Sequence, residues 1–254
     1  MNHVITVIWG DLYEEEYAQN LEDQLRKHTT VDFEFHCFRI WAPGDEENEE
    51  LMDSKNFIVS KELIEWMETS EFFIQSRDPR HSSYGDMRDA GGLSHFRKIL
   101  MMKDNFGLEG KCVYLDLDTQ INDNVDWLFE LDDKKPWAVK NYWFQGERFR
   151  KNFPRHRSPM INSSVLVWNN DQLKPIYEFV DKNLNKVMFT YNAIDNFMND
   201  QFCGFHNGKA NFFNFFPEGK ITNKTESTEE EVAESSIVTF SGLAQWEKDE
   251  LCLS

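Results

Sequence analysis

The residues of this chain whose types and spacing are best suited to chemistry are two aspartates, Asp116 and Asp118. They close the apolar run 111–117, which predicts a buried strand. Because side chains two positions apart in a strand point the same way, we expect both carboxylates on one face. Two such carboxylates repel each other unless a positive charge lies between them, and Mg²⁺ or Mn²⁺ prefers oxygen ligands of this kind. The pair therefore indicates a divalent-metal site, and its alternative is a solvated turn.

The elements that would position this pair begin as an alternating α/β pattern. Residues 4–9 predict a strand, apolar residues at positions 13, 17, 21 and 25 predict a helix, and residues 33–38 predict a second strand. Open α/β sheets of this kind bind ligands at the carboxyl ends of their strands. The aspartates thus fall where a nucleotide would bind.

The rest of the chain continues the α/β pattern, without an internal repeat or an interdomain linker, so we predict one domain over residues 1–254. Further strands are predicted at 137–139, 165–168, 212–216 and 237–240. Further helices are predicted at 61–68, from the cap Ser94 to Met101, at 125–131, from a cap at Asn169 or Asn170 to Leu184, and at 193–202. Loops are predicted at 41–56 (acidic), 76–92 and 222–236 (acidic and mobile).

Composition narrows the range of partners. The net charge of −18 repels phosphate backbones, so we expect no nucleic-acid binding. No apolar run approaches the roughly 20 residues of a membrane span, and the N-terminus lacks a signal-peptide pattern. The cysteines are widely spaced and contain no C-x-x-C, which predicts reduced thiols and a cytoplasmic location; they are Cys37, Cys112, Cys203 and Cys252.

The segment Val113–Thr119 resembles the D-x-D strand of GT-A glycosyltransferases, in particular the family of glycogenin and the lipopolysaccharide galactosyl- and glucosyltransferases, with their viral and bacterial relatives. Four further segments resemble that family in the same order, and the likeness extends from Val4 to Gly242: residues 7–13, 91–98, 160–168 and 199–201. The resemblance implies a mixed central sheet flanked by helices. It also implies hexosyl transfer with retention, from a nucleotide sugar (most often a UDP-sugar) to a carbohydrate or other hydroxyl acceptor.

The resemblance also implies roles for individual residues. Asp116 and Asp118, with Leu117 between them, would hold Mn²⁺ or Mg²⁺ and contact the ribose and diphosphate. Arg97 or Lys98 would contact the diphosphate or the donor sugar, unless both lie on an exposed helical face.

Other implied roles concern the base and the sugar. The base pocket would be lined by three residues: Trp9, Gly10 and Tyr13. Asn162 would lie near the sugar, and Asp200, beside Gln201, would bind sugar hydroxyls or deprotonate the acceptor if the reaction inverts. The structural alternatives are core packing for the aromatic rings and local hydrogen bonds for Asn162 and Asp200.

Two departures from the family pattern concern the metal and the sugar. Ser241 stands where the family has a histidine as its third metal ligand, and water or His206 could take that place. Ser164 replaces a glycine of the family's N-S-G strand and would tighten the space beside the sugar.

Residues 148–157 are basic in an otherwise acidic chain. They fit a solvated loop or an electropositive flap over the diphosphate or an acidic acceptor. The neighbouring Tyr142 and Trp143 could stack on an acceptor sugar or pack in the core.

Two other functions remain open from the sequence. A HAD-type phosphatase also places D-x-D-T after an apolar strand, although that motif lies near the start of its domain, whereas here more than a hundred residues precede it. A degenerate GT-A domain that binds a sugar nucleotide without catalysis is the second alternative, and Ser241 favours it.

Overall fold

The computed structural model describes residues 1–8, 13–41, 57–59, 98–141, 160–191, 193–203 and 211–240. The predictions for 42–56, 61–68, 76–92 and 148–157 lie outside these residues.

The chain begins with the predicted β-α-β unit. Strand β1 (Asn2–Ile8) is followed by helix α1 (Glu15–His28) and strand β2 (Glu34–Trp41), and β2 pairs in parallel with β1. Tyr13 was expected inside the helix, but it precedes α1 because Glu14, at the N-cap position, has an extended backbone. A strand that was not predicted, β3 (Phe57–Val59), extends the sheet beyond β2.

The next segment leads to the aspartates. Residues 98–100 form a 3₁₀ turn before helix α2 (Met101–Asp104), which ends in a second 3₁₀ turn. Strand β4 (Lys111–Leu115) pairs in parallel with β1, and the short strand β5 (Thr119–Ile121) and helix α3 (Trp127–Glu130) follow.

The second half supplies antiparallel strands and two helices. Strands β6 (Trp137–Lys140) and β7 (Ile161–Asn169) pair antiparallel, and β7 also pairs antiparallel with β4. Helix α4 (Lys174–Thr190), helix α5 (Ile194–Phe202) and strand β8 (Asn214–Phe215) follow.

The predicted cap of α4 was wrong. The N-cap is Leu173, which has no side-chain capping bond, and a proline in the first turn of the helix needs no such partner. Asn170 instead has a left-handed backbone, with φ 48°, in the turn before the helix.

The segment 222–236 was predicted to be a loop, but it contains regular structure. Strand β9 (Ile221–Asn223) is followed by helix α6 (Glu229–Glu234) and strand β10 (Ile237–Thr239). Thr228 and Glu231 form a capping box, so the run of glutamates forms a helix whose acidic first turn suits the positive end of the helix dipole.

The strands form two sheets. The large sheet has the order β3-β2-β1-β4-β7-β6-β8, and the small one has the order β5-β10-β9. Apolar residues of α2, α4 and α5 cover one face of the large sheet, and those of α1, α3 and the small sheet cover the other. The predicted fold class, a mixed α/β sheet flanked by helices, is confirmed. Among the described residues, no helix has both the length and the apolar character needed to cross a bilayer.

Candidate functional site

The candidate site lies where β4 ends. The Asp116 amide donates to the Ser164 carbonyl on β7 at 2.8 Å. This hydrogen bond lies one residue beyond Leu115, the last residue of β4. The chain then bends, and the Phe240 amide after β10 donates to the Asp118 carbonyl at 3.0 Å. The predicted strand to Leu117 is thus too long, because β4 ends at Leu115 and Asp118 is hydrogen-bonded to the segment that follows β10.

A buried lysine pairs with Asp116. Lys98 Nζ lies 2.6 Å from Oδ1 and 2.8 Å from Oδ2 of Asp116, and the Lys98 side chain is 4% exposed. The ammonium also lies 5.2 Å from the centre of the Tyr114 ring. Lys98 is therefore not on an exposed helical face, and its charge offsets that of Asp116.

A tyrosine hydroxyl donates to each aspartate. Tyr114 donates to Asp116 Oδ1 at 2.6 Å, and Tyr13 is hydrogen-bonded to Asp118. Burial, followed by the charges of the aspartates, raises the pKa of both tyrosines, so both remain protonated donors at neutral pH. Both aspartates thus contribute to the electrostatic environment of both tyrosines at the end of β4.

A third carboxylate, Asp195, faces the same charges from the first turn of α5. Its Oδ1 accepts the Ser163 amide at 3.0 Å. Burial raises the pKa of Asp195, the Lys98 ammonium opposes the shift, and the charge of Asp116 adds to it. Asp195 was not predicted as a site residue, although a carboxylate next to the buried Ile194 at the start of a predicted helix was a signal for it.

Asp200 and Gln201 both form local hydrogen bonds. Asp200 is exposed and accepts from Asn199 Nδ2 at 3.2 Å, and Gln201 donates to the Tyr191 hydroxyl at 2.7 Å. Five residues correspond to about 140° around a helix, so Asp195 and Asp200 occupy different faces of α5.

Asn162 lies on β7 beside the site. Its Oδ1 accepts the Ser164 amide at 2.8 Å, which is the local hydrogen bond considered as its alternative role. Ser164 is buried, so the strand accommodates its side chain. Asn199 Oδ1 accepts the Met160 amide at 2.9 Å, and this bond holds α5 against the start of β7.

Of the remaining predicted site residues, Leu117 alone lies within the described part of the chain. Leu117 is buried and packs in a small cluster with Ile8 and Tyr17. Outside the described residues lie Trp9, Gly10, Arg97, Tyr142, Trp143, His206 and Ser241.

The donor atoms at the end of β4 fit a hard divalent cation. Asp116 accepts three contacts, from Tyr114 and twice from Lys98, whereas a carboxylate offers about four lone-pair positions. By this count, Asp116 retains one position at which it could bind a cation, and Asp118 would supply a second carboxylate. Within the described part of the chain, no histidine, cysteine or further carboxylate completes a three-residue cluster with this pair. Mg²⁺ and Mn²⁺ commonly take their remaining ligands from water and substrate phosphates, so the set fits such an ion.

Comparison with known proteins identifies the class of fold. No family model and no curated protein sequence matches the chain. Among solved structures, the galactosyltransferase LgtC in complex with donor and acceptor sugar analogues matches with a TM-score of 0.53 and 13% identity, over 98% of this chain and 95% of that one. A glycosyltransferase involved in glycosylation of the major capsid of PBCV-1 matches with a TM-score of 0.51 and 14% identity, over 98% of both chains. The glycosyltransferase GlyE of Streptococcus pneumoniae TIGR4 matches with a TM-score of 0.50 and 12% identity, over 100% of this chain and 63% of that one.

These likenesses show that the chain has the GT-A glycosyltransferase fold, as the sequence motifs predicted. They do not favour the phosphatase alternative.

Proposed function

We propose that this protein transfers a sugar from a nucleotide diphosphate sugar, with a UDP-sugar as the first candidate, to a hydroxyl acceptor. The observation that carries the proposal is the group of Asp116, Asp118 and Lys98 at the carboxyl end of β4 in a GT-A fold. The carboxyl edge of an open α/β sheet is where nucleotides bind. The structural likeness to a galactosyltransferase supports a hexose donor, and the resemblance of the motifs supports retention.

The chemical difficulty of glycosyl transfer is the negative charge that develops on the departing diphosphate. A bound Mg²⁺ or Mn²⁺, held by Asp116 and Asp118, would stabilise that charge as a Lewis acid. Lys98 adds a fixed positive charge next to Asp116, and a charge that is already oriented stabilises an anion without reorganisation. Tyr114 and Tyr13 orient the two carboxylates, so the ligands are positioned before the substrate arrives.

On the sugar side, we place Asp195 where the sequence had suggested Asp200. Asp195 lies near Lys98 and Asp116, whereas Asp200 is exposed on another face of α5. A carboxyl group in this position can accept hydrogen bonds from sugar hydroxyls. If the reaction inverts, it can accept the proton of the acceptor, and the raised pKa of Asp195 makes it a stronger base than an ordinary aspartate. Asn162 remains a second candidate contact to the sugar.

A cytoplasmic location is also part of the proposal. The described cysteines Cys37, Cys112 and Cys203 are free, and burial raises the pKa of each thiol to about 12. Such thiols are unreactive at neutral pH, in keeping with a reduced, structural role.

The first test is a thermal-shift panel of UDP-, GDP- and CMP-sugars, each with and without Mn²⁺. A ligand that binds the folded state raises Tm by mass action. We expect a UDP-sugar with Mn²⁺ to give the largest rise and Asp118→Asn to remove most of it. Asp123→Asn, an exposed aspartate on the same segment, serves as the matched control.

The panel separates the alternatives. No stabilisation by any nucleotide sugar would contradict the proposal. Stabilisation without subsequent donor hydrolysis or transfer would instead indicate a non-catalytic sugar-nucleotide-binding domain.

A further inference from the structure

A second group of metal-ligating side chains lies at the opposite edge of the sheet from Asp116. It consists of His3 on β1 with Glu34 and His36 on β2. His3 Nδ1 lies 3.1 Å from His36 Nε2 and 3.5 Å from Glu34 Oε2, and His36 Nε2 lies 3.8 Å from the same oxygen. The parallel register explains the grouping, because His3 pairs with Glu34 and His36 projects two residues further along the same face.

The contact of the second nitrogen of His3 determines its tautomer. His3 Nε2 lies 3.1 Å from the Glu109 carbonyl oxygen, which can only accept a hydrogen bond. Nε2 therefore carries the hydrogen, and in neutral His3 the lone pair is on Nδ1, the atom that faces His36 and Glu34. Histidine ligands of metals are commonly oriented in this way, by donating their other N–H to a backbone carbonyl.

The spacing of the three donor atoms matches a small tetrahedral ion. Zn²⁺ binds histidine nitrogen and carboxylate oxygen at about 2.0–2.1 Å, which places two ligands of a tetrahedron about 3.3 Å apart. The three observed separations, 3.1, 3.5 and 3.8 Å, lie within about half an ångström of that value. Side-chain adjustments alone can therefore bring the three atoms to bonding distance.

We propose that His3, Glu34 and His36 form a Zn²⁺-binding site separate from the glycosyltransferase site. Two imidazole nitrogens and one carboxylate oxygen suit Zn²⁺ and neighbouring transition metals, whereas Mg²⁺ prefers oxygen ligands alone. His3 is buried, but the Glu34 side chain is 53% exposed, so the ion has an open route to solvent and a position for water.

The proposed site is distant from the aspartates. His3 pairs with Cys112, and Asp116 follows four residues later, which is roughly 13 Å along the strand. A bound ion would link β1 to β2 and fix the segment that leads into β4. We therefore expect it to stabilise the fold and not to take part in sugar transfer.

The test is a Zn²⁺ titration of the full chain, stripped of metal and of any affinity tag, in competition with a chromophoric chelator. Excess Mg²⁺ is present throughout, so that the aspartates are occupied by a hard ion. We expect one tight Zn²⁺ equivalent in the wild type. His36→Gln and Glu34→Gln are each expected to weaken it by at least the 10–100-fold that loss of an outer-shell partner costs. His28→Gln, which changes a histidine outside the group, should leave the affinity unchanged.

Thermal unfolding provides an independent readout, because a folded-state ligand raises Tm. Zn²⁺ should raise the Tm of the wild type and of His28→Gln, but not that of His36→Gln. Wild-type affinity and stoichiometry in both His36→Gln and Glu34→Gln would overturn the proposal. Absence of a tight Zn²⁺ equivalent in the wild type would also overturn the proposal. His3, Glu34 and His36 would then be a hydrogen-bonded histidine pair beside a carboxylate.

Discussion

The ammonium of Lys98 lies 2.6 Å from Asp116 Oδ1, and the two side chains are only 4% and 16% exposed. The lysine that the motif resemblance directed toward the diphosphate or the donor sugar thus contacts Asp116, the aspartate that we propose as a metal ligand. The charge of Lys98 therefore offsets that of Asp116 where we propose that an anionic donor binds.

Lys98→Met is expected to lower the free energy of unfolding by about 3 kcal/mol. This is the lower end of the cost of breaking a buried ion pair, because Asp116 keeps some contact with water. Urea denaturation measures the loss, and the exposed Lys186→Met is the matched control. In the double variant Lys98→Met/Asp116→Asn, the loss should be smaller than the sum of the two single losses. Additive losses would show that the two charges do not stabilise each other in the folded protein.

Tyr114→Phe removes the hydroxyl that orients Asp116 and keeps the buried ring. We expect sugar transfer to fall about 10–100-fold, the usual cost of losing an outer-shell partner of a metal ligand, with the fold retained. Steady-state kinetics across a Mn²⁺ titration measures this effect, and Tyr177→Phe on α4 is the control. Unchanged kinetics in Tyr114→Phe would mean that the hydroxyl contributes nothing to the site.

Asp195→Asn should separate function from stability. The pKa of Asp195 is raised in the folded state, so the folded protein binds this proton more tightly than the unfolded chain. The wild type therefore loses stability as pH rises from about 3.9, the ordinary value, through the raised pKa, whereas the asparagine variant does not. At pH 7 the variant should be at least as stable as the wild type, and its advantage should shrink as pH falls through that window.

The rate of sugar transfer by Asp195→Asn should fall by about tenfold to a hundredfold, which corresponds to the loss of one hydrogen bond to a charged group. Melting curves from pH 4 to pH 8, together with kinetics, measure both effects. A variant that is less stable at pH 7 and fully active would refute the role of Asp195.

Asp126→Asn should show the opposite pH dependence. Asp126 accepts hydrogen bonds from the Thr29 hydroxyl, the Thr30 hydroxyl and the Thr30 amide. These bonds hold the pKa of Asp126 well below its ordinary value. Its contribution to stability is present above about pH 3.9 and is lost as pH falls through the lower folded pKa.

The variant should thus have a lower Tm than the wild type at pH 7, and the two should converge in strong acid. Acid titration followed by circular dichroism measures this, with Asp123→Asn as the control. A constant difference at all pH values would mean that the charge of Asp126 is not the cause.

The elements with strong periodicity could be predicted from the sequence. Strand β1, helix α1 and helix α5 each carry an apolar pattern that burial requires, and the structure contains them close to the predicted bounds. The predicted bounds were wrong where a tertiary contact, and not the apolar pattern, ends an element. Strand β4 ends at Leu115, before the predicted Leu117, because the chain turns there to join the small sheet.

The site could be predicted only in part for a related reason. Asp116 and Asp118 follow a recognisable strand, so a linear pattern locates them. Asp195 is positioned by the packing of α5 against β7, where it accepts the Ser163 amide, and this tertiary contact has no characteristic spacing in the sequence. A neighbouring acid–glutamine pair, Asp200 and Gln201, fitted the motif better and occupies another face of the helix.

The central claim, that the aspartates at the end of β4 drive sugar transfer, is tested most directly by product formation in Asp116→Asn. The assay supplies UDP-hexoses with Mn²⁺ and a panel of hydroxyl acceptors, and it quantifies both released UDP and glycosylated product, with Asp123→Asn as the folded control. We predict transfer by the wild type and the control, and no detectable transfer by Asp116→Asn although its circular dichroism is native. Full activity of Asp116→Asn would contradict the account.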